Sequence, residues 1–157
     1  VNVIQNRKTK VQSWFLDMNL LVGYWGQGAK RAYHHTAPVN SMYAMYEALL
    51  ILKEEGLENA WQRHALGHEK LAQGLSELGL ELTVDSAYRL PQLNVVKIPD
   101  GVDDAAVRKQ LLEDFNLEIG AGLGDHAGKV WRIGLMGYAC KPRNIDHCLA
   151  ALRTVLK

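Results

Sequence analysis

Cysteine is scarce in this sequence: Cys140 and Cys148 are the only two among 157 residues. Two cysteines do not provide the disulfide framework on which small secreted domains depend, so we expect a reducing compartment. The expected location is the cytoplasm, with a peroxisome or a mitochondrion as the alternatives in a eukaryote. The first residue is Val1 and not methionine, which suggests a piece of a longer polypeptide.

Long hydrophobic runs and an excess of either charge are missing as well. No apolar run reaches the roughly 18 residues that a membrane-spanning helix requires. Lys and Arg number 18 against 17 Asp and Glu, which leaves a formal net charge of +1. We therefore expect neither a membrane nor a nucleic acid as a partner. Apolar residues make up 48% of the chain, which suits one globular domain with a real core.

The apolar residues recur with helical spacing in some segments and with strand-like alternation in others. Helices are predicted at Val39–Glu55, Leu57–Leu78, Ala105–Phe115 and Asn144–Leu156, and strands at Leu80–Val84, Leu93–Ile98, Leu117–Ile119 and Val130–Leu135. The apolar, aromatic run Val11–Leu21 is interpreted as a further helix that lies on another surface. This order of elements predicts an α/β fold in which helices pack against one small sheet.

Arg132 interrupts the apolar strand predicted at Val130–Leu135. Alternation along a strand places it on the face opposite Trp131 and Ile133. A guanidinium can bind a carboxylate through two parallel hydrogen bonds, so Arg132 is a candidate anion-binding residue. The alternative, an exposed arginine or one paired with an acidic neighbour, is the commoner situation and stays open at this point.

Residues Tyr33–Thr36, with the sequence Tyr-His-His-Thr, precede the helix predicted at Val39–Glu55. Hydroxyl and imidazole groups near a helix N-terminus can donate hydrogen bonds to a phosphate. The alternative is that Thr36 caps the helix and the histidines are ordinary loop residues.

Two further patterns carry less chemistry. The glycines of Gly120–Gly124 precede a strand and not a helix, so they do not form a dinucleotide-binding turn; tight turning or close approach of backbone explains them better. His64 and His68 have the i, i+4 spacing of metal ligands, but no cysteine or carboxylate nearby completes a ligand set. We therefore predict no metal site.

Six segments in one order carry a resemblance to a known family, and it covers essentially the whole chain. They are Arg7–Lys10, Tyr33–Val39, Glu54–Asn59, Arg89–Pro91, Gly122–Gly124 and Gly128–Gly137. Together they resemble the C-terminal part of the alanine–glyoxylate (serine–pyruvate) aminotransferases, which are class V pyridoxal-phosphate enzymes. The resemblance implies the C-terminal small domain of a fold type I enzyme, with helices packed on a small, mostly antiparallel sheet. Residues 1–40 would end the large cofactor-binding domain and form the connecting loop, and residues 41–157 would form the small domain.

The resemblance also implies the activity and the site residues. The family moves an amino group from alanine or serine to glyoxylate or another small 2-oxo acid, and it works as a homodimer. By this resemblance Tyr33 and Thr36 bind the phosphate of pyridoxal 5'-phosphate in the neighbouring subunit, and Arg132 binds the α-carboxylate of the substrate. Ala121 stands where many relatives have glycine, close to the substrate entrance.

The family's catalytic lysine, and the aspartate that pairs with the cofactor ring, lie upstream of Arg7–Lys10. We therefore expect no catalytic residue in this chain and no turnover by the chain alone. Three alternatives remain: another class V activity, such as a different amino donor, a cysteine desulfurase or a kynureninase; a non-catalytic binding module on the same fold; and a metal module built on His64 and His68.

Overall fold

The computed structural model describes residues 2–24 and 33–157. The chain divides into two compact units, Val1–Ile51 and Leu52–Lys157. The domain boundary expected after residue 40 stays a prediction. Within the described residues, no helix combines the length and the apolar character that crossing a membrane requires.

The first unit contains two short helices, α1 (Asn2–Gln5) and α2 (Met18–Val22), and most of α3 (Val39–Glu55). The helix interpreted from Val11–Leu21 is shorter than expected. It begins only after Asp17, whose carboxylate accepts a hydrogen bond from the Asn19 backbone N–H at 3.0 Å. An aspartate in this position starts a helix because its side chain satisfies an otherwise unpaired N–H group.

Helix α3 has the bounds that the sequence predicts, yet none of its residues is buried. Large apolar side chains point outward all around it, at Val39, Met42, Tyr43, Met45, Tyr46, Leu49 and Ile51. A helix that is apolar on all sides is normally enclosed by other polypeptide.

The second unit is built on a three-stranded antiparallel sheet with the order β1-β3-β2. Its strands are β1 (Leu93–Lys97), β2 (Gly120–Ala121) and β3 (Val130–Gly134), and its helices are α4 (Leu57–Glu77), α5 (Asp104–Phe115) and α6 (Pro142–Val155). In the register, Arg132 lies opposite Val95 on one side and opposite Gly120 on the other.

The core lies on one face of this sheet, where the helices cover it. The largest fully buried side chains are Trp131, Leu71, Leu75, Leu111, Ile145, Leu152, Val96 and Cys140. Trp131 and Ile133 point into this core, while Arg132 between them is only partly buried on the opposite face. The predicted arrangement of helices packed on a small antiparallel sheet is confirmed.

Two predicted strands differ in detail. Leu80–Val84 forms a single bridge, Leu82 with Val96, before Asp85 starts a 3-10 turn by accepting a hydrogen bond from Ala87 N–H at 2.8 Å. The strand predicted at Leu117–Ile119 begins at Gly120 instead. Asn116 closes α5 in the left-handed conformation, and the Leu117 N–H still bonds back to Leu111 in that helix. Sheet pairing is therefore delayed by three residues.

Candidate substrate and cofactor sites

Arg132 lies at the centre of the three strands, on the face that the helices leave uncovered. Its Nε donates a hydrogen bond of 2.7 Å to the backbone carbonyl of Ala121. None of the ion pairs found among residues 2–24 and 33–157 involves Arg132. The alternative of an arginine paired with an acidic neighbour therefore has no support in the described part of the chain. With Nε held by the backbone, the two terminal nitrogens can still bind a carboxylate.

The other face of the same strand is fixed by a polar contact. The indole Nε1 of Trp131 donates to Oδ1 of Asp104 at 2.9 Å, and Arg108 Nε donates to the same oxygen at 2.7 Å. The hydrogen bond from Arg108 lowers the pKa of the Asp104 carboxyl, the bond from Trp131 acts in the same direction, and burial opposes both. Asp104 thus stays ionised and ties the start of α5 to the strand that carries Arg132. Asp104 is the first residue of α5 and does not cap it; the cap is Asp103, whose side chain accepts from the Ala106 N–H.

The glycine-rich segment before β3 forms a tight turn. A Cβ atom on Gly122 would lie 2.0 Å from the carbonyl oxygen of His126, so no larger residue fits there. Gly124 has a φ of 55°, a conformation that glycine adopts without strain. A short 3-10 turn at Gly124–His126 then leads into β3. The segment has the geometry of a strand connection, as the sequence indicates, and not of a dinucleotide-binding turn.

The Tyr33–Thr36 loop is held by its two histidines. His34 Nε2 donates to the carbonyl oxygen of Trp14 at 2.7 Å, and the ring centroids of these two residues are 3.8 Å apart. The His35 ring lies 4.3 Å from that of Phe15. His34 Nε2 is therefore engaged in anchoring the loop to the Trp14 backbone.

The two hydroxyl-bearing residues of the loop point outward. Tyr33 is 76% exposed, and Thr36 is exposed as well. Thr36 does not cap α3, because the helix begins at Val39 and the residue directly before it is Pro38. The loop therefore presents two exposed hydroxyl-bearing residues on a backbone that His34 and His35 anchor.

His64 and His68 are both engaged in hydrogen bonds within the second unit. His64 Nδ1 donates to the Ala60 carbonyl at 2.6 Å, and its Nε2 accepts from the Gly137 N–H at 3.2 Å. His68 Nδ1 lies 2.6 Å from Oδ1 of the buried Asn94. Both nitrogens of His64 are thus occupied, which argues against a metal at the i, i+4 pair. Within the described ranges, no group of three or more His, Cys, Asp or Glu residues has the geometry of a metal site.

The turn that follows β3 is held by neighbouring residues of α4. Arg63 Nη1 donates to the Gly137 carbonyl at 2.9 Å, while His64 accepts from the N–H of the same glycine. The Arg63 guanidinium also pairs with Glu55, and this hydrogen-bonded contact raises the pKa of Arg63 and lowers that of Glu55. These contacts were not predicted, because no spacing pattern relates residue 63 to residue 137.

The two cysteines are buried, and their thiols are poor nucleophiles. Burial raises the pKa of Cys140, and it raises the pKa of Cys148 to about 11. A thiol becomes a good nucleophile only when its pKa is lowered. Neither cysteine has the character that a desulfurase nucleophile requires.

No family model matches the chain, but individual proteins of known name and structure are similar to it. The alanine–glyoxylate aminotransferase of Callithrix jacchus is 45% identical over 158 residues, which cover 99% of this chain and 38% of that protein. A crystal structure of alanine–glyoxylate aminotransferase from Nostoc sp. matches with a TM-score of 0.89 and 52% identity, over 98% of this chain and 40% of that one. A crystal structure of the ureidoglycine–glyoxylate aminotransferase of Bacillus subtilis matches with a TM-score of 0.90 and 39% identity, over 99% of this chain and 40% of that one.

The chain thus spans about two fifths of the length of the relatives it matches. These matches confirm both the resemblance found in the sequence and the fold class, since the similar structures are fold type I aminotransferases. This chain belongs to the family of the alanine–glyoxylate aminotransferases, as one portion of such a protein.

Proposed function

We propose that this chain is the C-terminal portion of a pyridoxal-phosphate-dependent aminotransferase. The complete protein moves an amino group from alanine or serine to glyoxylate or another small 2-oxo acid. The observation that carries the proposal is Arg132: a partly buried guanidinium on the uncovered sheet face, tied through Nε to Ala121 and outside every ion pair of the described residues.

Arg132 binds the α-carboxylate, the group that amino donors and 2-oxo acceptors share. The bond from Nε to the Ala121 carbonyl fixes the plane of the guanidinium. The remaining nitrogens can then form two parallel hydrogen bonds to one carboxylate, which fixes its orientation as well as its position. One arginine thus serves both halves of a transamination, because each half starts from a 2-amino or 2-oxo carboxylic acid.

Tyr33 and Thr36 bind the cofactor phosphate. Two exposed hydroxyls on an anchored loop match an anion with several acceptor oxygens. When bound, pyridoxal phosphate supplies the electron sink that makes the α-proton of an amino acid removable. In the homodimer that we propose, the loop serves the cofactor of the neighbouring subunit.

The lysine and the aspartate that act on the cofactor ring belong to the large domain, of which residues 1–40 form the end. The outward-facing apolar side chains of α3 support this assignment, because further polypeptide is needed to cover them. The 157-residue chain alone is therefore expected to be inactive.

The proposal is tested by measuring pyruvate formation from alanine and glyoxylate by the natural polypeptide that carries this chain. We expect turnover that depends on added pyridoxal phosphate, and none from the 157-residue chain prepared separately. Turnover by the short chain would contradict the assignment of the catalytic lysine. A complete polypeptide that binds the cofactor but transfers no amino group from any small amino acid would favour a non-catalytic module.

A different amino donor is the second candidate. The Bacillus subtilis protein named as a ureidoglycine–glyoxylate aminotransferase is as similar in fold as the alanine–glyoxylate enzyme from Nostoc sp.. A comparison of alanine, serine and other small amines as donors, with glyoxylate held constant, distinguishes the two candidates.

A further inference from the structure

Gly120 lies directly opposite Arg132 in the pairing of β2 with β3, so both residues are on the same face of the sheet. The atoms nearest to a Cβ placed on Gly120 all belong to the side chain of Arg132. The three nearest atoms are Nε and Nη2 of Arg132 at 3.3 Å and its Cβ at 3.4 Å. The arginine side chain therefore lies across the space that a side chain at position 120 would take.

The backbone does not require a glycine at this position. Gly120 is absent from the glycines of the described chain with positive φ, and it forms a regular pair in the ladder. Glycine is unfavourable inside a strand, because it loses more conformational freedom on folding and has no side chain to pack. What it provides here is room for the guanidinium.

We propose that Gly120 is a positioning residue for Arg132. The missing side chain lets the guanidinium lie back against β2, where the Ala121 carbonyl binds Nε at 2.7 Å and leaves the terminal nitrogens for a carboxylate. The residues Gly120 and Ala121 thus set the place of the guanidinium from the same short strand. This inference rests on the proposed function only in naming the substrate as the source of the carboxylate.

The change Gly120→Ala should displace the guanidinium by a few tenths of an ångström, because contacts of 3.3 Å to two of its nitrogens are tighter than normal packing. The hydrogen bond from Arg132 Nε to the Ala121 carbonyl should lengthen, and the two terminal nitrogens should shift with the rest of the guanidinium. We expect weaker carboxylate binding by about three- to tenfold, which is the range for partial loss of a charge-assisted hydrogen bond. The chemical step is carried out by other residues, so KM should rise with little change in kcat.

The experiment compares the natural polypeptide carrying this chain with its G120A and G134A variants. Gly134 is the matched control: it shares the sheet face, and a Cβ there would meet only the end of Met136, at 3.5 Å. Pyruvate is titrated as a simple carboxylate, with the thermal unfolding midpoint as readout, and KM and kcat are measured for alanine and glyoxylate. Far-UV circular dichroism reports whether each variant is folded.

The G120A variant should bind pyruvate more weakly and show higher KM values, whereas G134A should match the wild type. The effect should vanish when Arg132→Lys is also present, because a residue that acts through the guanidinium has nothing to position once it is gone. Equal pyruvate affinity in G120A and wild type, or an effect that persists in the R132K background, overturns the proposal. The titration needs no turnover, so it decides the role of Gly120 even if the polypeptide proves not to be a transaminase. Wild type that does not bind pyruvate overturns the inference as well.

Discussion

Replacing Asp104 by alanine removes the carboxylate that links α5 to the strand carrying Arg132. The Trp131 residue is fully buried, and its indole N–H would lose the acceptor that now lies 2.9 Å away. A buried donor left without a partner costs about 1–3 kcal/mol. The half-buried pair with Arg108 adds about 0.3–0.5 kcal/mol, and the loss of an acid from the first helical turn adds about 0.3–1 kcal/mol. Alanine returns up to about 0.7 kcal/mol through its higher helix propensity, so the net loss should be about 2 kcal/mol.

The free energy of unfolding is measured by urea titration followed by far-UV circular dichroism, in wild type, D104A, W131F and the double variant. Phenylalanine has no N–H group, so D104A should cost about 1–2 kcal/mol less in the W131F background than in the wild type. Asp104→Asn is the milder control, since its amide oxygen can still accept from the indole. Strictly additive effects of the two substitutions would refute the claim that this hydrogen bond anchors the strand.

Three further predictions concern the Tyr33–Thr36 loop, the buried thiol of Cys148 and the loss of stability at low pH. Tyr33→Phe and Thr36→Ala should each weaken pyridoxal-phosphate binding about fivefold to twentyfold without changing the thermal unfolding midpoint of the apoprotein. Cofactor affinity is measured by fluorescence titration. Unchanged affinity in both variants would show that neither residue binds the phosphate. Burial raises the pKa of Cys148 to about 11, above that of an unfolded thiol, so its stabilising contribution is complete below about pH 8.5 and is lost as the pH rises towards 11. The stability advantage of wild type over C148A should therefore shrink by about 3 kcal/mol across that window, and parallel pH profiles would contradict this. The Arg108 hydrogen bond holds the pKa of Asp104 below its usual range. The ionised Asp104 carboxylate therefore contributes fully to the free energy of unfolding above about pH 4, and this contribution disappears as the pH falls through the lowered pKa. A D104N variant lacks this titrating group, so its stability should fall less steeply in acid than that of the wild type.

Local patterns were enough to predict the four long helices and the faces of the central strand. The bounds of α3 follow from its apolar spacing and from Gly56, whose φ of 82° suits the end of a helix. Alternation along β3 placed Arg132 opposite Trp131 and Ile133, and the burial of these three residues agrees. Such features depend on neighbours in sequence, which a single chain displays directly.

Contacts between distant residues were not predictable in the same way. The bonds from Arg63 and His64 to Gly137 join positions more than seventy residues apart, and nothing in their local sequence marks them as partners. In the sequence Gly120 is only one glycine of a run, because its relation to Arg132 appears once the register of β2 and β3 is known. The roles of Tyr33, Thr36 and Arg132 came from the family resemblance together with their chemistry, and they stay predictions.

The most direct test of the central claim is the KM of the Arg132→Gln variant of the natural polypeptide for both alanine and glyoxylate. If Arg132 binds the α-carboxylate shared by donor and acceptor, both KM values should rise about tenfold to a hundredfold, and pyridoxal-phosphate affinity should stay the same. A variant that keeps wild-type KM values for both substrates would contradict the account, since another group would then have to bind the carboxylate.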